Sequence, residues 1–139
     1  MSSLKESIRR HEGWRDKAYQ DSEGIWTVGY GRNLQELEID KQLGEKWLED
    51  DLKTARLAAE RLPEYSLLTD ERKDVLVEMV YNMGPSRVAG FRMMLAAIRD
   101  GDWEEAAIQM LDSKWAKQVG VRARRLAKQM ESSEYWTRG

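Results

Sequence analysis

His11-Glu12-Gly13, then Tyr19-Gln20-Asp21-Ser22-Glu23-Gly24, then Ile25-Trp26-Thr27-Val28-Gly29-Tyr30-Gly31: over this stretch the chain changes from helix-forming to strand-forming residues. Before it, Ser3-x-x-Glu6 reads as a capping box, whose two side chains satisfy backbone N–H groups left over at a helix start. Leu4, Ile8 and Glu12 fall four apart and share one helical face. Gly13 is the natural C-terminal stop. Beyond it, Ala18-Tyr19 and Ile25 to Tyr30 carry aromatic and β-branched residues on either side of a turn with Asp21 and Gly24, which predicts a β-hairpin. Gly29 and Gly31 then break the second arm.

Downstream the pattern is helical. Asp40 is the expected N-cap of a long helix reaching about Leu62, with Leu43, Trp47, Leu48, Leu52, Ala55, Ala59 and Leu62 along one stripe and Pro63 ending it. At ~1.5 Å per residue it is on the order of 30 Å long, enough to join two lobes. Shorter helices follow. Thr69 or Asp70 caps one closed by Gly84, Gly90-Phe91 opens another closed by Gly101, and Asp102 caps a third. Lys114 to Gln118 and Val121 to Met130 supply two more around Gly120, and Ser132 or Ser133 is expected to cap a last turn before Trp136. The expected class is α+β, mainly helical: a single domain over 1–139, with 13–39 a small hairpin lobe, 40–62 the connecting helix, and 1–12 with 63–139 the helical lobe.

The 139 residues are 41% hydrophobic and 35% charged, suited to one folded domain with a core. No apolar run approaches the ~20 residues that span a bilayer, which argues against stable membrane insertion. The start, Met1-Ser2-Ser3-Leu4-Lys5-Glu6, has no apolar signal core. The absence of cysteine removes disulfides and thiolate metal sites. A net charge of −2 argues against general nucleic-acid affinity. Charge is uneven, however. Ser113 to Met130 holds six basic residues and no acidic one, while Leu34 to Asp51 holds seven acidic and two basic. Each can be a solvated helix face; the basic stretch can also meet anionic groups on a partner.

Two carboxylates and a hydroxyl, Glu12, Asp21 and Thr27, are the parts that hydrolysis of a glycosidic bond requires. At a helix C-terminus the dipole disfavours an ionised carboxylate, which suits Glu12 to donate a proton. Asp21, in a polar turn, can stay ionised and act as base. Thr27 can aim its hydroxyl at a water near Asp21. Each has an ordinary reading too: a surface glutamate at a frayed helix end, an Asx-turn aspartate, a β-branched residue suited to a strand. Other chemistries fit less well. His11 is the only histidine, and the position four beyond it is Arg15, so a zinc-protease helix is incomplete and no metal site is expected. No nucleophile-elbow sequence accompanies His11. Gly29-x-Gly31 lacks the third glycine and the helix of a dinucleotide fingerprint. Trp47 and Trp103 lie on helical stripes and are expected in the core, Trp26 is more open, and most methionines are expected to fill the core.

These blocks together resemble the phage-type lysozymes, glycoside hydrolase family 24. The resemblance begins at His11-Glu12-Gly13, with the family's spacing from Glu12 to Asp21 to Thr27. It continues through Asn82-Met83-Gly84, Arg87-Val88-Ala89-Gly90-Phe91, Trp103-Glu104-Glu105-Ala106-Ala107 and Ser113-Lys114-Trp115 to Arg122-Ala123-x-Arg125, in family order over nearly the whole chain.

The resemblance implies a lysozyme-like two-lobed fold and a muramidase that cuts the β-1,4 bond between N-acetylmuramic acid and N-acetylglucosamine in peptidoglycan, with inversion. It implies Glu12 as general acid and Asp21, helped by Thr27, as holder of the attacking water. It places Gly31, Tyr81, Asn82 and Gln109 against the saccharide, with Asn82 and Gln109 as substitutions within that pattern. Arg122 matches the arginine that pairs with the catalytic glutamate, and a cation there opposes the helix-dipole effect. No cofactor is implied. A monomer is expected, made in the bacterial cytoplasm without a signal peptide and acting on the cell wall after release. Two features depart from the pattern. Arg32 stands where the best-known member has a histidine, and the segment from Asn33 to Asp40 is shorter than in larger members. A non-catalytic peptidoglycan binder on the same fold is the alternative, against which the intact Glu12, Asp21 and Thr27 argue.

Overall fold

The computed structural model describes residues 3–136. They form two compact units that divide between Gly44 and Glu45. The first contains helix α1 (Ser3–Glu12) and strands β1 (Arg15–Gln20), β2 (Trp26–Gly29) and β3 (Arg32–Asn33), and ends in the first turn of α2 (Lys41–Glu60). The second contains the rest of α2, a 3₁₀ turn (Pro63–Leu67), α3 (Asp70–Met83), α4 (Pro85–Ala89), α5 (Arg92–Arg99), α6 (Trp103–Leu111), α7 (Lys114–Val119) and α8 (Val121–Ser132). This is a mainly helical α+β fold with a small antiparallel sheet, as the sequence implies.

In the first unit the strand order is β1-β2-β3, antiparallel throughout. Tyr19 faces Thr27 and Gln20 faces Trp26, while Arg15 faces Gly29, so β1 carries extra residues between Arg15 and Tyr19 and the ladder is irregular there. The expected hairpin is present, and a third short strand joins it: Asn33 faces Thr27 and Arg32 faces Val28. Two residues are too few to show strand periodicity in sequence. Helix α1 groups with this sheet, whereas the sequence reading assigns 1–12 to the helical lobe. The local reason is that Gly13, with φ +70°, turns the chain directly from α1 into β1, and the Glu12 side chain lies against Gly31.

Asp40 caps α2 as expected, its Oδ1 accepting from the Leu43 amide at 2.8 Å. The apolar stripe of α2 is used unevenly. Ala55 and Ala59 are buried, while Leu43, Trp47 and Leu48 are exposed. Trp47, expected in the core, is 45% exposed because only the C-terminal half of the helix joins the core of the second unit.

That core is drawn mainly from α3, α5, α6 and α8, with Ala55 and Ala59 of α2, Val88 of α4 and Trp115 of α7. Leu76, Met79, Met94, Ile98, Met110 and Met130 are its largest fully buried side chains, so four methionines fill it as expected, while Met93 is exposed. Thr69, Asp102 and Ser113 cap α3, α6 and α7 through their side-chain oxygens. Arg72 locks α3 to α8: its Nε and Nη2 donate to the Met130 and Glu131 carbonyls at 2.6 and 2.8 Å. Its guanidinium also lies 4.0 Å from the centroid of the half-buried Trp103 ring. Burial lowers the pKa of Arg72, although the cation remains the hydrogen-bonding form. Helix α4 escapes a sequence reading because it is short and is bracketed by Gly84 and Gly90. Ser133, a candidate cap for one more helical turn, instead ends α8 in the left-handed region at φ 59°.

Candidate active site

Glu12 is the last residue of α1, and Gly31 follows β2. Gly31 adopts φ +85°, and a Cβ built on it lies 2.8 Å from Glu12 Oε2. The backbone conformation favours a bare α-carbon there, and a methyl group would push the Glu12 carboxylate aside.

The turn between β1 and β2 is organised by Asp21. Its Oδ1 accepts from the amides of Glu23 at 2.8 Å and Ile25 at 2.9 Å, and its own amide donates to the Ile25 carbonyl at 2.9 Å. This is an Asx-type turn in which one carboxylate oxygen replaces backbone acceptors. Thr27, one of the few buried polar residues, donates its hydroxyl proton to the Ile25 carbonyl at 2.9 Å. Asp21 and Thr27 are thus both tied to the same residue, and the Thr27 oxygen keeps its acceptor capacity for another donor. Arg32 lies exposed on β3, opposite Val28. Gly31 also lines a depression of about 520 Å³ with Trp14 and Tyr30, whose rings stand 5.2 Å apart.

The remaining sequence-predicted residues belong to the second unit. Tyr81, at the end of α3, is 42% exposed and lines a hollow of about 460 Å³ with Thr54 and Ala55 of α2. Its neighbour Asn82 is exposed, and its Oδ1 accepts from the indole of buried Trp115 at 2.7 Å. Gln109 on α6 donates to Glu105 Oε1 at 2.7 Å and lines a different hollow, of about 230 Å³, with Phe91 and Ser113. Arg122, at the start of α8, donates through Nε to Glu78 Oε2 at 2.8 Å. Within this unit the four residues lie on three helices, and Tyr81 and Gln109 line different hollows. Glu78 was not legible as a partner, because it lies on α3, far from Arg122 in sequence. The Glu105–Gln109 pair, spaced by four on one helix, carries a readable signal. Among the described residues no group of three or more histidine or acidic side chains is placed to hold a metal ion.

Residues 9–132 match the model of the phage lysozyme family. Probable T4-type lysozyme 1 of Dictyostelium discoideum is 29% identical, with 95% of each chain covered. An endolysin of Acyrthosiphon pisum secondary endosymbiont phage 1 is 32% identical over 79% of this chain and 75% of its own. The pre-baseplate central spike protein Gp5 of Enterobacteria phage T4 is 30% identical over 89% of this chain but only 27% of its own length. Together with the α+β fold, these matches define a glycoside hydrolase of the lysozyme class, acting on peptidoglycan. The chain belongs to the phage lysozyme family. Among its described residues no helix is long and apolar enough to cross a membrane.

Proposed function

We propose that this chain cleaves the β-1,4 bond between N-acetylmuramic acid and N-acetylglucosamine by an inverting acid/base reaction. Glu12 donates its proton to the leaving glycosidic oxygen. Asp21 takes a proton from the water that attacks the anomeric carbon from the opposite face, and the Thr27 oxygen helps hold that water. The bond to the leaving oxygen breaks as the bond to water forms, and the proton lost by Glu12 is balanced by the one gained by Asp21. An inverting pair works at a separation of about 6.5–9.5 Å, which leaves room for the water.

The observation that carries this reading is the seating of the Glu12 carboxylate against the bare α-carbon of Gly31. It is supported by the anchoring of Asp21 and Thr27 to one residue of the adjoining turn, Ile25. Saccharide-contacting roles for Gly31, Tyr81, Asn82 and Gln109, and the glutamate-pairing role of Arg122, rest on the family resemblance. No cofactor enters the reaction, and the working form is a monomer that meets the cell wall after release from the cell that makes it.

The test is turnover of purified peptidoglycan with mass spectrometry of the released muropeptides. Glu12→Gln should lower the rate by ~10²–10⁴-fold, the usual contribution of a positioned acid. Thr27→Glu should block the water site or trap a covalent adduct. Wild-type rates in Glu12→Gln would remove Glu12 from the chemistry, and binding to sacculi without release of reducing ends would leave the chain a binder.

A further inference from the structure

Three residues of the basic stretch that the proposed reaction leaves unused line a pocket. Along α8, Arg124, Arg125 and Lys128 line a cavity of about 370 Å³, together with Tyr135 and Trp136. That volume lies within the range of small-molecule sites. Among the described residues, none of the three cations has a carboxylate within ion-pairing distance. Three cations and one carboxylate, Glu134, line the cavity, while Asp74, Glu71 and Asp70 act on the outer wall at Tyr135.

The wall is fastened rather than loose. The Tyr135 hydroxyl donates to Asp74 Oδ2 at 2.6 Å, and the Ser133 hydroxyl meets the Thr69 hydroxyl at 2.6 Å, so α3 holds the segment after α8 at two points. The Arg125 guanidinium lies 3.8 Å from the centroid of the Trp136 ring. Stacking fixes the guanidinium plane and leaves its N–H edges to meet an acceptor. A helix C-terminus ordinarily repels anions. Here Arg72 already takes the Met130 and Glu131 carbonyls, and the Ser133 amide takes that of Gln129, which removes most of that objection.

We propose that this pocket binds a phosphate ester. Two guanidinium groups and an ammonium suit an oxyanion with several acceptor oxygens and up to two negative charges. The exposed faces of Val121 and Trp136 offer apolar contact to the group that carries the phosphate. Its lining belongs to the second unit, whereas Glu12, Asp21 and Thr27 belong to the first. The ester can come from a water-soluble sugar phosphate or from a phospholipid headgroup.

The experiment is a titration of the full ¹⁵N-labelled chain, followed at the Trp136 indole and arginine Nε–H signals. The probes are N-acetylglucosamine 6-phosphate, N-acetylglucosamine, and phosphatidylcholine vesicles with and without phosphatidylglycerol, the vesicles followed by co-sedimentation. Either phosphate-bearing probe should bind, the soluble one with a dissociation constant below about 1 mM. Arg125→Gln should weaken binding by about tenfold or more, as loss of one charge-assisted contact does. Arg124→Gln/Lys128→Gln leaves the Trp136 stack in place and should weaken it equally. Sugar phosphate binding with inert vesicles identifies a soluble ligand, and the reverse identifies a headgroup. Equal binding of N-acetylglucosamine, unchanged affinity in both variants, or no binding of either phosphate-bearing probe would overturn the site.

Discussion

Gly31 holds open the space that the Glu12 carboxylate occupies. A methyl group on its α-carbon falls 2.8 Å from Oε2, inside any real carbon–oxygen contact, and φ is +85°, where a side chain is disfavoured. Gly31→Ala should therefore displace the carboxylate as well as strain the backbone. The conformational part costs about 1–2 kcal/mol of stability. Activity should fall much further, by at least about tenfold, because a general acid works only within hydrogen-bonding reach of the oxygen it protonates. Thermal unfolding and turnover of peptidoglycan, measured on the same preparation, separate the two effects. Full activity in Gly31→Ala would show that the position of Glu12 does not matter.

Asp21 has a structural task and a proposed chemical one, and two substitutions part them. Asparagine keeps an oxygen that can accept from the Glu23 and Ile25 amides, whereas alanine leaves both without it. Asp21→Asn should stay within about 0.5 kcal/mol of wild type and lose most activity, since a neutral amide takes no proton from water. Asp21→Ala should lose activity and, in addition, about 1–2 kcal/mol of stability. Urea unfolding of both variants provides the comparison. Near-normal turnover in Asp21→Asn would limit Asp21 to shaping the turn.

The turn and its neighbours also show how far residues alone reach. The helix stop at Glu12, the Asx turn at Asp21 and the strand at Thr27 were legible because each is local and fixed by residues a few positions away. Most caps were legible for the same reason. Trp47 was misplaced because an apolar stripe marks the face a helix can bury, not how much of its length finds a neighbour. The partners of Arg122 and Arg72 were hidden because they depend on how α3 meets α8, which no local pattern encodes.

Arg72 gives a stability prediction independent of chemistry. It supplies two charge-assisted donors to the end of α8 and stacks on Trp103. Arg72→Met keeps much of the volume but leaves the Met130 and Glu131 carbonyls without these donors. The expected loss is about 2–4 kcal/mol in denaturant unfolding, with the proposed catalytic residues untouched. A change under about 0.5 kcal/mol would mean that water replaces the guanidinium at no cost.

Tyr135 gives a pH signature. Its hydrogen bond to Asp74 is the main cause that pushes the phenol up from its ordinary 10.0 to about 12, with desolvation and nearby carboxylates adding to it. The protonated phenol is the bonded form, so its contribution to the fold is complete below about pH 10 and is lost as pH rises through about 12. Phenolate absorbance of wild type minus that of Tyr135→Phe should show this late ionisation, and Asp74→Asn should move it back toward 10.0. Ionisation at the ordinary value in wild type would mean that the bond does not form in solution.

The most direct measurement of the proposed reaction is time-resolved proton NMR of the anomeric signals released from a soluble peptidoglycan fragment. Inversion at a β-1,4 linkage predicts that the first reducing end to appear is the α anomer of N-acetylmuramic acid, which then relaxes to the equilibrium mixture, with no product from Glu12→Gln on the same timescale. A β anomer appearing first, or a 1,6-anhydro end in place of a reducing one, would contradict attack by a water activated at Asp21.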